Sequence, residues 1–394
     1  MTADTSAIAP KRRASKFSYL LMLGHLWADT CQGAMAATLP FLIITSGYSY
    51  TDVTILIFAQ NIASAVIQPL FGWLGDKKAR PWLMGVGVLL AGIGISGVGL
   101  LGSFPLIVCS ALVTGLGVAM FHPEGGRLAN LVGGDDKAHS LSIFAVGGNV
   151  GFIIGPAIAA AFLTIFGLPG TAFFVFPAIV ISAVLFGFTR FFKSFGLVDA
   201  AAVEAAGGKD RWGAFGLIVG TLSLNSIIGT ALNAFVPMFI ITMFAQTEAF
   251  GSAMLSVMSI CGAVGTVLSG RISGKIGTQR LMVIALAITV VALPLLAFSP
   301  SLAICIVLVA IMPLAGNSFF PSTVALGQSL VPRHLGMASG LTYGVTVSFG
   351  GVFSPMFGAI GDNLGLQPVF LVACGFAVAA LILAILVWRV TTKK

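Results

Sequence analysis

Charged residues are scarce in this sequence. Only 8% of its 394 residues are Asp, Glu, Lys or Arg, whereas 58% are hydrophobic and the mean hydropathy is +1.06. A soluble domain carries about 25% charged residues, so the composition excludes a soluble enzyme or a soluble binding module. A helix needs about 20 apolar residues to cross a bilayer, and the chain has room for about twelve such helices with short loops.

The sequence also lacks the spacings that carry catalytic, redox or metal chemistry. No CxxC motif and no paired Cys/His spacing is present, so neither a disulfide framework nor a metal site is expected. His25, His122 and Glu124 offer zinc ligands, but without an HExxH motif they predict neither a metal nor another cofactor. No nucleophile–base pair or signalling domain points to an enzyme or a receptor. The five cysteines stand singly within apolar spans: Cys31, Cys109, Cys261, Cys305 and Cys374.

The net charge of +8 has an ordered distribution along the chain. No basic segment alternates with aromatic residues, so nucleic acid is not an expected partner. All twenty Lys and Arg lie in the tails or at the ends of every second loop. Cytoplasmic loops retain Lys and Arg, so this asymmetry predicts an even number of spans with both termini cytoplasmic. The expected location is a bacterial inner membrane. The alternate loops contain none of the twenty and lie near Gly47, Gly102, Gly167, Thr247, Pro300 and Asn363.

Apolar runs predict twelve membrane spans and therefore an all-α membrane protein. They lie near 17–45, 53–75, 82–101, 105–132, 138–163, 170–192, 213–243, 250–272, 280–298, 302–331, 336–361 and 367–389. The first run follows a basic tail, as a signal peptide does. It continues far beyond the 7–15 residues of a signal-peptide core, so we expect it to remain as a membrane helix.

An internal repeat divides the chain into two halves. Four short patterns recur at offsets of 197–199 residues: Gly72–Lys77 as Gly270–Lys275, Phe121–Pro123 as Phe319–Pro321, Gly151–Pro156 as Gly350–Pro355, and Pro40-Phe41 as Pro237-Met238. The predicted domains are a six-helix half over 1–192, a cytoplasmic linker over 193–212 and a second six-helix half over 213–394. Such duplication is typical of transporters whose binding site lies near the membrane midplane between the halves.

Two of these segments resemble motifs of the major facilitator superfamily, and the resemblance extends over nearly the whole chain. Gly72-x-Leu74-x-Asp76-Lys77-x-x-Arg80 is similar to the cytoplasmic signature of that family, although Ala79 stands where a glycine is common. Gly151-x-x-x-Gly155-Pro156 resembles the motif associated with antiporters. The arginine often found early in the fourth span is absent, because that region reads Ala111-Leu-Val-Thr-Gly115.

Within the superfamily, Gly24-His25-x-x-x-Asp29 together with Phe121-His-Pro-Glu-Gly125 resembles the fosmidomycin-resistance type of drug exporter. The resemblance implies twelve transmembrane helices in two halves that rock in alternating access. It also implies proton-coupled export of a small antimicrobial such as an anionic phosphonate. The expected partners are this substrate, protons and the lipid bilayer, and we expect a monomer. The alternative is a proton-coupled symporter that imports a small metabolite with the same fold.

Ionisable residues within the first and fourth spans form the predicted proton-coupling site. Charged groups cost about 2.5–3.5 kcal/mol each at membrane depth, so they persist mainly where they have a function. Asp29 lies about 18 Å along the first span, with His25 on the same helix face. A carboxylate there can exist in either protonation state near neutral pH; the alternative is a structural, hydrogen-bonded Asp. His122 is either a proton relay or a packed neutral side chain, and Glu124 is either a second proton site or the counter-ion of Arg127.

Arg127 and several neutral polar residues are the predicted substrate contacts. The planar guanidinium of Arg127 suits phosphonate oxygens, unless the side chain reaches the cytoplasmic interface instead. Pro123 is expected to interrupt the helix beside it and to free backbone groups for ligands. The second half has no charged residue deep within a span, so its contacts are expected to be uncharged. The neutral candidates, each of which could instead hold helices together, are Gln32, Asn149, Asn225, Asn233, Asn317 and Tyr343.

Two further groups of residues are assigned to conformational change. Asp76, Lys77 and Arg80 are predicted to form a latch between cytoplasmic helix ends. Gly151 and Gly155 are predicted to let the fifth span pack tightly and pivot, and Pro156 is predicted to kink it.

Overall fold

The chain is helical throughout the part that the structure describes. The computed structural model describes residues 11–77, 79–133, 137–195, 210–331, 338, 341–342 and 346–392. No β-strand occurs within these ranges. Long apolar runs adopt helices because a helix satisfies its own backbone hydrogen bonds, which nothing in hydrocarbon could do for it.

The helices fall into two sets along the chain. The N-terminal set is α1 (Lys11–Ser46), α2 (Tyr50–Lys77), α3 (Trp82–Leu100), α4 (Phe104–Val132), α5 (Lys137–Phe166), a 3-10 helix (Leu168–Phe174), α6 (Val175–Gly187) and α7 (Thr189–Lys193). The C-terminal set is α8 (Trp212–Phe244), α9 (Glu248–Ile276), α10 (Thr278–Ala297), α11 (Leu302–Ser318), α12 (Phe320–Leu330), α13 (Thr346–Val352), α14 (Ser354–Leu364) and α15 (Leu366–Thr392).

Several helices begin at residues with clear capping chemistry. The Thr247 hydroxyl accepts the Phe250 N–H at 3.2 Å at the start of α9, and the Ser301 hydroxyl accepts the Ile304 N–H at 3.4 Å at the start of α11. Such caps satisfy backbone donors that have no partner within the helix. Gly365 separates α14 from α15 with φ 86°, a conformation that glycine adopts without a steric penalty.

The lengths of the helices agree with a membrane protein. Nine spans within the described ranges are long and apolar enough to cross a bilayer. Helices α1 and α2 and the α13–α14 pair supply three more helical segments, which is consistent with the predicted twelve membrane spans. Some large apolar residues are mostly exposed: the exposed fraction is 74% for Val267, 69% for Ile165 and 66% for Phe298. Exposed apolar surface on this scale fits helices that face lipid.

Several predicted spans differ in detail from the observed helices. The sixth span begins with the 3-10 helix and breaks again at Phe188, and the tenth span breaks at Phe319 into α11 and α12. The predicted interruption of the fourth span by Pro123 is wrong, because α4 runs through it without a break. A proline removes one N–H donor, but its fixed φ is compatible with a helix. Helix α5 likewise continues through Pro156.

The two sets of helices pack within themselves and against each other. In the N-terminal set α1 packs on α5, and α4 packs on α2 and α3. In the C-terminal set α15 packs on α8 and α10, and α9 packs on α11. Contacts between the sets join α5 to α9, α1 to α8 and α9, and α2 to α13 and α14. The larger hydrophobic core contains buried side chains of both sets. The predicted linker, 193–212, lies mostly outside the described residues.

The two ends of the bundle differ in charge. We call the end that carries the loops near Gly47, Gly102, Gly167, Thr247, Pro300 and Asn363 the acidic face, because its loops and adjoining helix ends contain Asp52, Glu248 and Asp362 but no Lys or Arg. The opposite end, which carries the Lys and Arg, is the basic face.

Candidate functional site

Two histidines and an aspartate converge between α1 and α4. His25 Nε2 lies 3.1 Å from Asp29 Oδ2, and His122 Nε2 lies 3.1 Å from Asp29 Oδ1. The two Nε2 atoms are 3.2 Å apart. The exposed fraction of the side chain falls from 25% for His122 through 11% for His25 to 4% for Asp29. We call these residues the Asp29 cluster; it is buried, with one edge open at His122.

Helix geometry and aromatic packing place the cluster. His25 and Asp29 are one turn apart on α1 and therefore share a face. The His25 ring stacks on Phe144 of α5, with ring centroids 4.1 Å apart and planes inclined by 20°. His122 comes from α4, so three helices fix the positions of the three polar groups.

The protonation of both rings at Nδ1 follows from their hydrogen bonds. His25 Nδ1 lies 2.7 Å from the Phe144 carbonyl oxygen, and His122 Nδ1 lies 2.9 Å from the Val118 carbonyl oxygen. A carbonyl oxygen only accepts, so each Nδ1 must donate its hydrogen. Neutral imidazoles in this tautomer carry lone pairs at both Nε2 atoms.

The cluster therefore needs a further proton or a bound cation to avoid repulsion. Without one, two nitrogen lone pairs 3.2 Å apart would face each other and an ionised carboxylate. A proton on either Nε2 atom or on Asp29 converts one of these repulsions into a hydrogen bond. Asp29 Oδ1 is buried and has no aligned donor within the described ranges, although His122 Nε2 lies 3.1 Å away. We regard that contact as electrostatic rather than as an aligned hydrogen bond.

His25, Asp29 and His122 are also placed closely enough to hold a metal ion together, and they form the group of this kind within the described part of the chain. One ligand atom from each of His25, Asp29 and His122 lies within 4.8 Å of the others. Imidazole nitrogen and carboxylate oxygen are ligands for several transition metals. Among the residues that offered zinc ligands in the sequence, Glu124 has other partners.

Glu124 and Arg127 form a buried ion pair on α4. The Arg127 guanidinium donates to the carboxylate from Nε at 2.9 Å and from Nη2 at 2.7 Å. Their side chains are 2% and 9% exposed. Glu124 Oε1 also accepts the Arg80 backbone N–H at 3.1 Å. Of the two predicted roles, this geometry favours Glu124 as the counter-ion of Arg127.

Glycines on α5 pack directly against Asp29 and the backbone of α1. A Cβ added at Gly148 would lie 2.6 Å from Asp29 Oδ2 and 2.7 Å from His25 Nε2. A Cβ at Gly151 would lie 2.4 Å from a carbonyl oxygen of α1. Gly155 makes a similar approach to Thr30. The predicted hinge residues thus lie in the α1–α5 interface, where only a glycine lets the backbones come so close.

The predicted latch is only partly visible. The Arg80 backbone connects the loop between α2 and α3 to Glu124. The side chains of Asp76 and Lys77 lie outside the described part of the structure, so the predicted contacts of that latch stay a prediction.

A polar cavity of about 250 Å³ lies between the two sets of helices. Helices α5, α8, α9, α10 and α11 contribute its walls, and none of the described residues that line it carries a charge. Asn225 also donates to the Gly316 carbonyl oxygen at 3.4 Å. Four of the predicted substrate contacts line this cavity together: Asn149, Asn225, Asn233 and Asn317.

The other predicted substrate contacts are elsewhere. Gln32 is absent from the cavity lining, and its backbone oxygen accepts a hydrogen bond from Gln60 at 3.4 Å. Arg127 is paired with Glu124 rather than placed in the cavity. Tyr343 lies outside the described residues.

Helix α5 connects the Asp29 cluster to the cavity. Gly148 touches the cluster, and the next residue, Asn149, lines the cavity. The same helix packs on α9 of the C-terminal set. A shift of α1 or α5 at the cluster would therefore change the cavity and the interface between the sets.

Sequence reasoning missed two residues at this site. Phe144 provides both the carbonyl and the stacking partner for His25, and Gly148 lies against Asp29. The small residues at 147, 148, 151 and 155 indicate a closely packed helix face, which was a usable signal for Gly148. Nothing comparable marks Phe144 in a sequence with 31 phenylalanines.

Comparisons with known proteins agree with this architecture. The family model described as Major Facilitator Superfamily matches residues 21–215 and 218–394. An uncharacterized MFS-type transporter of Bacillus subtilis (strain 168), YfnC, is 29% identical over 385 residues, which cover 94% of this chain and 92% of that protein. The fosmidomycin resistance protein of Escherichia coli (strain K12) is 26% identical over 392 residues, which cover 95% and 93%.

Solved structures of transporters share the fold. A bacterial homolog to the human lysosomal transporter Spinster, in an inward-facing and occupied conformation, superimposes with a TM-score of 0.83 at 16% identity. The match covers 97% of this chain and 98% of that one. The nucleoside transporter NupG gives a TM-score of 0.69 at 17% identity, over 94% and 99% of the two chains.

Proposed function

Because this chain belongs to the major facilitator superfamily and is a multi-pass membrane transporter rather than an enzyme, we propose that it is a proton-coupled exporter of a small antimicrobial compound. The first candidate substrate is a fosmidomycin-like, anionic phosphonate. The name of the Escherichia coli relative supports this choice. The bacterial relatives support a bacterial inner-membrane location, and the distribution of Lys and Arg supports cytoplasmic termini.

The Asp29 cluster is the observation that carries proton coupling. Its two Nδ1 donors are committed to backbone carbonyls, and in our proposal the two Nε2 atoms and Asp29 share a further proton. Adding or removing that proton changes the repulsion between groups 3.1–3.2 Å apart. The α1–α5 contact around Asp29 then has two protonation-dependent arrangements, which is what a coupling site needs.

The cavity between the two sets of helices is the proposed substrate site. Carboxamide groups of Asn149, Asn225, Asn233 and Asn317 can donate hydrogen bonds to phosphonate oxygens without a side-chain cation. In alternating access the N-terminal and C-terminal sets rock about this cavity as two rigid halves. Protonation at Asp29 and substrate binding bias the same equilibrium through α5.

Transport by reconstituted protein tests the proposal. Proteoliposomes containing the wild type and Asp29→Asn are compared for phosphonate accumulation under a pH gradient and for exchange of labelled substrate without a gradient. We expect Asp29→Asn to lose accumulation and to retain exchange, because the cavity is intact but no longer coupled. Asp52→Asn, the same change at the start of α2, is the matched control and should behave as the wild type.

Two results would contradict the proposal. Asp29→Asn protein that still accumulates substrate under the gradient would remove the proton role. Transport that a chelator abolishes in the wild type would indicate that the cluster works as a metal site. Transport in everted membrane vesicles decides the direction of substrate movement. Uptake of substrate into these vesicles corresponds to export from the cell, whereas an importing symporter would move substrate out of them.

A further inference from the structure

The start of α2 is held by a carboxylate from the other set of helices. The Tyr50 N–H donates to Asp362 Oδ1 at 2.7 Å, and the Thr51 N–H donates to Asp362 Oδ2 at 2.8 Å. Asp362 lies in the last turn of α14, on the acidic face. The carboxylate faces the positive end of the α2 dipole, so two charge-assisted hydrogen bonds combine with a favourable charge–dipole interaction.

Helix α2 also has a complete cap of its own. The Asp52 N–H donates to Ser49 Oγ at 3.0 Å, and the Ser49 N–H donates to Asp52 Oδ2 at 3.0 Å. This reciprocal pair is a capping box, and it fixes the helix start without help from another segment. The contribution of Asp362 is therefore to connect α14 with α2 rather than to form α2.

The surfaces around this contact approach too closely to be incidental. A Cβ added at Gly358 of α14 would lie 2.2 Å from Thr54 Oγ1 of α2. The Ser354 hydroxyl donates to the Thr54 carbonyl oxygen at 3.0 Å. A Cβ at Gly351 of α13 would lie 2.3 Å from Asn61 Cβ. These contacts form a closely packed interface between the two sets of helices beside Asp362.

The charge pattern of the acidic face explains why backbone groups serve as the partner. The loops at this end contain none of the twenty Lys and Arg, so Asp362 has no basic side chain from them to pair with. The first two N–H groups of α2 supply positive partial charge instead. Such a contact releases its partners to water without leaving a buried charge unpaired.

We propose that Asp362 is the latch of a gate on the acidic face. It holds α14 on the start of α2 in the present conformation, and its release accompanies separation of the two sets on that face. This inference rests on the proposed alternating access, but it concerns a conformational equilibrium that is measured without substrate or a pH gradient. Loss of proton-coupled export would therefore leave the latch test unaffected.

Distances across the acidic face test the latch. Spin labels are placed at Gly102→Cys and Pro300→Cys, exposed loop positions of the N-terminal and C-terminal sets, in a Cys109→Ser background. Pulsed EPR on the full chain in nanodiscs reports the fraction of molecules with a long distance. In Asp362→Ala we expect the ratio of open to closed molecules to rise about 5- to 30-fold, because two charge-assisted hydrogen bonds are lost.

A matched control and a second variant keep the test decisive. Asp52→Asn weakens the local cap of α2 and should leave the distance distribution unchanged. Gly358→Ala places a methyl group against Thr54 and should open the same face without touching Asp362. If Asp362→Ala keeps the wild-type distribution, whatever Gly358→Ala does, or if Asp52→Asn opens the face as far as Asp362→Ala, Asp362 is not the latch.

Discussion

Gly148→Ala is the substitution that most directly probes how α5 controls the Asp29 cluster. The new Cβ would lie 2.6 Å from Asp29 Oδ2 and from His25 Cε1, whereas ordinary contact begins at 3.4 Å. Either the two side chains or α5 itself must then move by about 0.8 Å. Overpacking of a tight interface costs about 1–3 kcal/mol, which corresponds to about a 5- to 150-fold change in an equilibrium constant.

We therefore expect Gly148→Ala to reduce gradient-driven accumulation in proteoliposomes about 5- to 150-fold. Gly375→Ala is the matched control. Gly375 lies on α15 of the C-terminal set, and a Cβ added there meets nothing within 4 Å. The double variant Asp29→Asn/Gly148→Ala should lose no more accumulation than Asp29→Asn alone, since both changes act on one cluster. Wild-type accumulation by Gly148→Ala, or losses that add in the double variant, would refute the reasoning.

Two further expectations concern the ion pair and the cavity. Glu124→Gln should lower the free energy of unfolding by about 3–5 kcal/mol, because it removes the carboxylate to which the buried Arg127 guanidinium donates two hydrogen bonds. The double variant with Arg127→Met should recover most of the loss in a thermal unfolding assay. Asn225→Ala and Asn317→Ala should each weaken substrate binding about tenfold in calorimetry. Gln32→Ala is the control and should leave the affinity unchanged, because Gln32 does not line the cavity. Equal losses of affinity in all three variants would contradict the assignment of the site.

The spans and the cavity asparagines were predictable because they depend on patterns along the chain. Uninterrupted apolar runs mark membrane helices whatever their neighbours are. Neutral polar residues deep in spans, such as Asn225 and Asn317, have few positions to occupy except a cavity or a helix contact. The breaks at Phe188 and Phe319 depend on local backbone conformation, which hydrophobicity does not encode.

Partners across helices were harder to predict. His122 and Glu124 are near neighbours in sequence and were assigned to one proton site. Two positions on a helix differ by about 200° in direction, so one side chain meets Asp29 while the other meets Arg127 and the loop at Arg80. The contact of Asp362 with the start of α2 joins residues more than 300 positions apart and has no sequence signal.

The fixed Nδ1 bonds of His25 and His122 also restrict how a proton reaches Asp29. Neither ring can turn by half a revolution about its Cβ–Cγ bond without breaking the bond to Phe144 or Val118. In the proposed coupling mechanism a proton would therefore arrive and depart on the Nε2 side. His122 is the most accessible member of the cluster and Asp29 the most enclosed, so the proposal implies that His122 is protonated from water before Asp29 is.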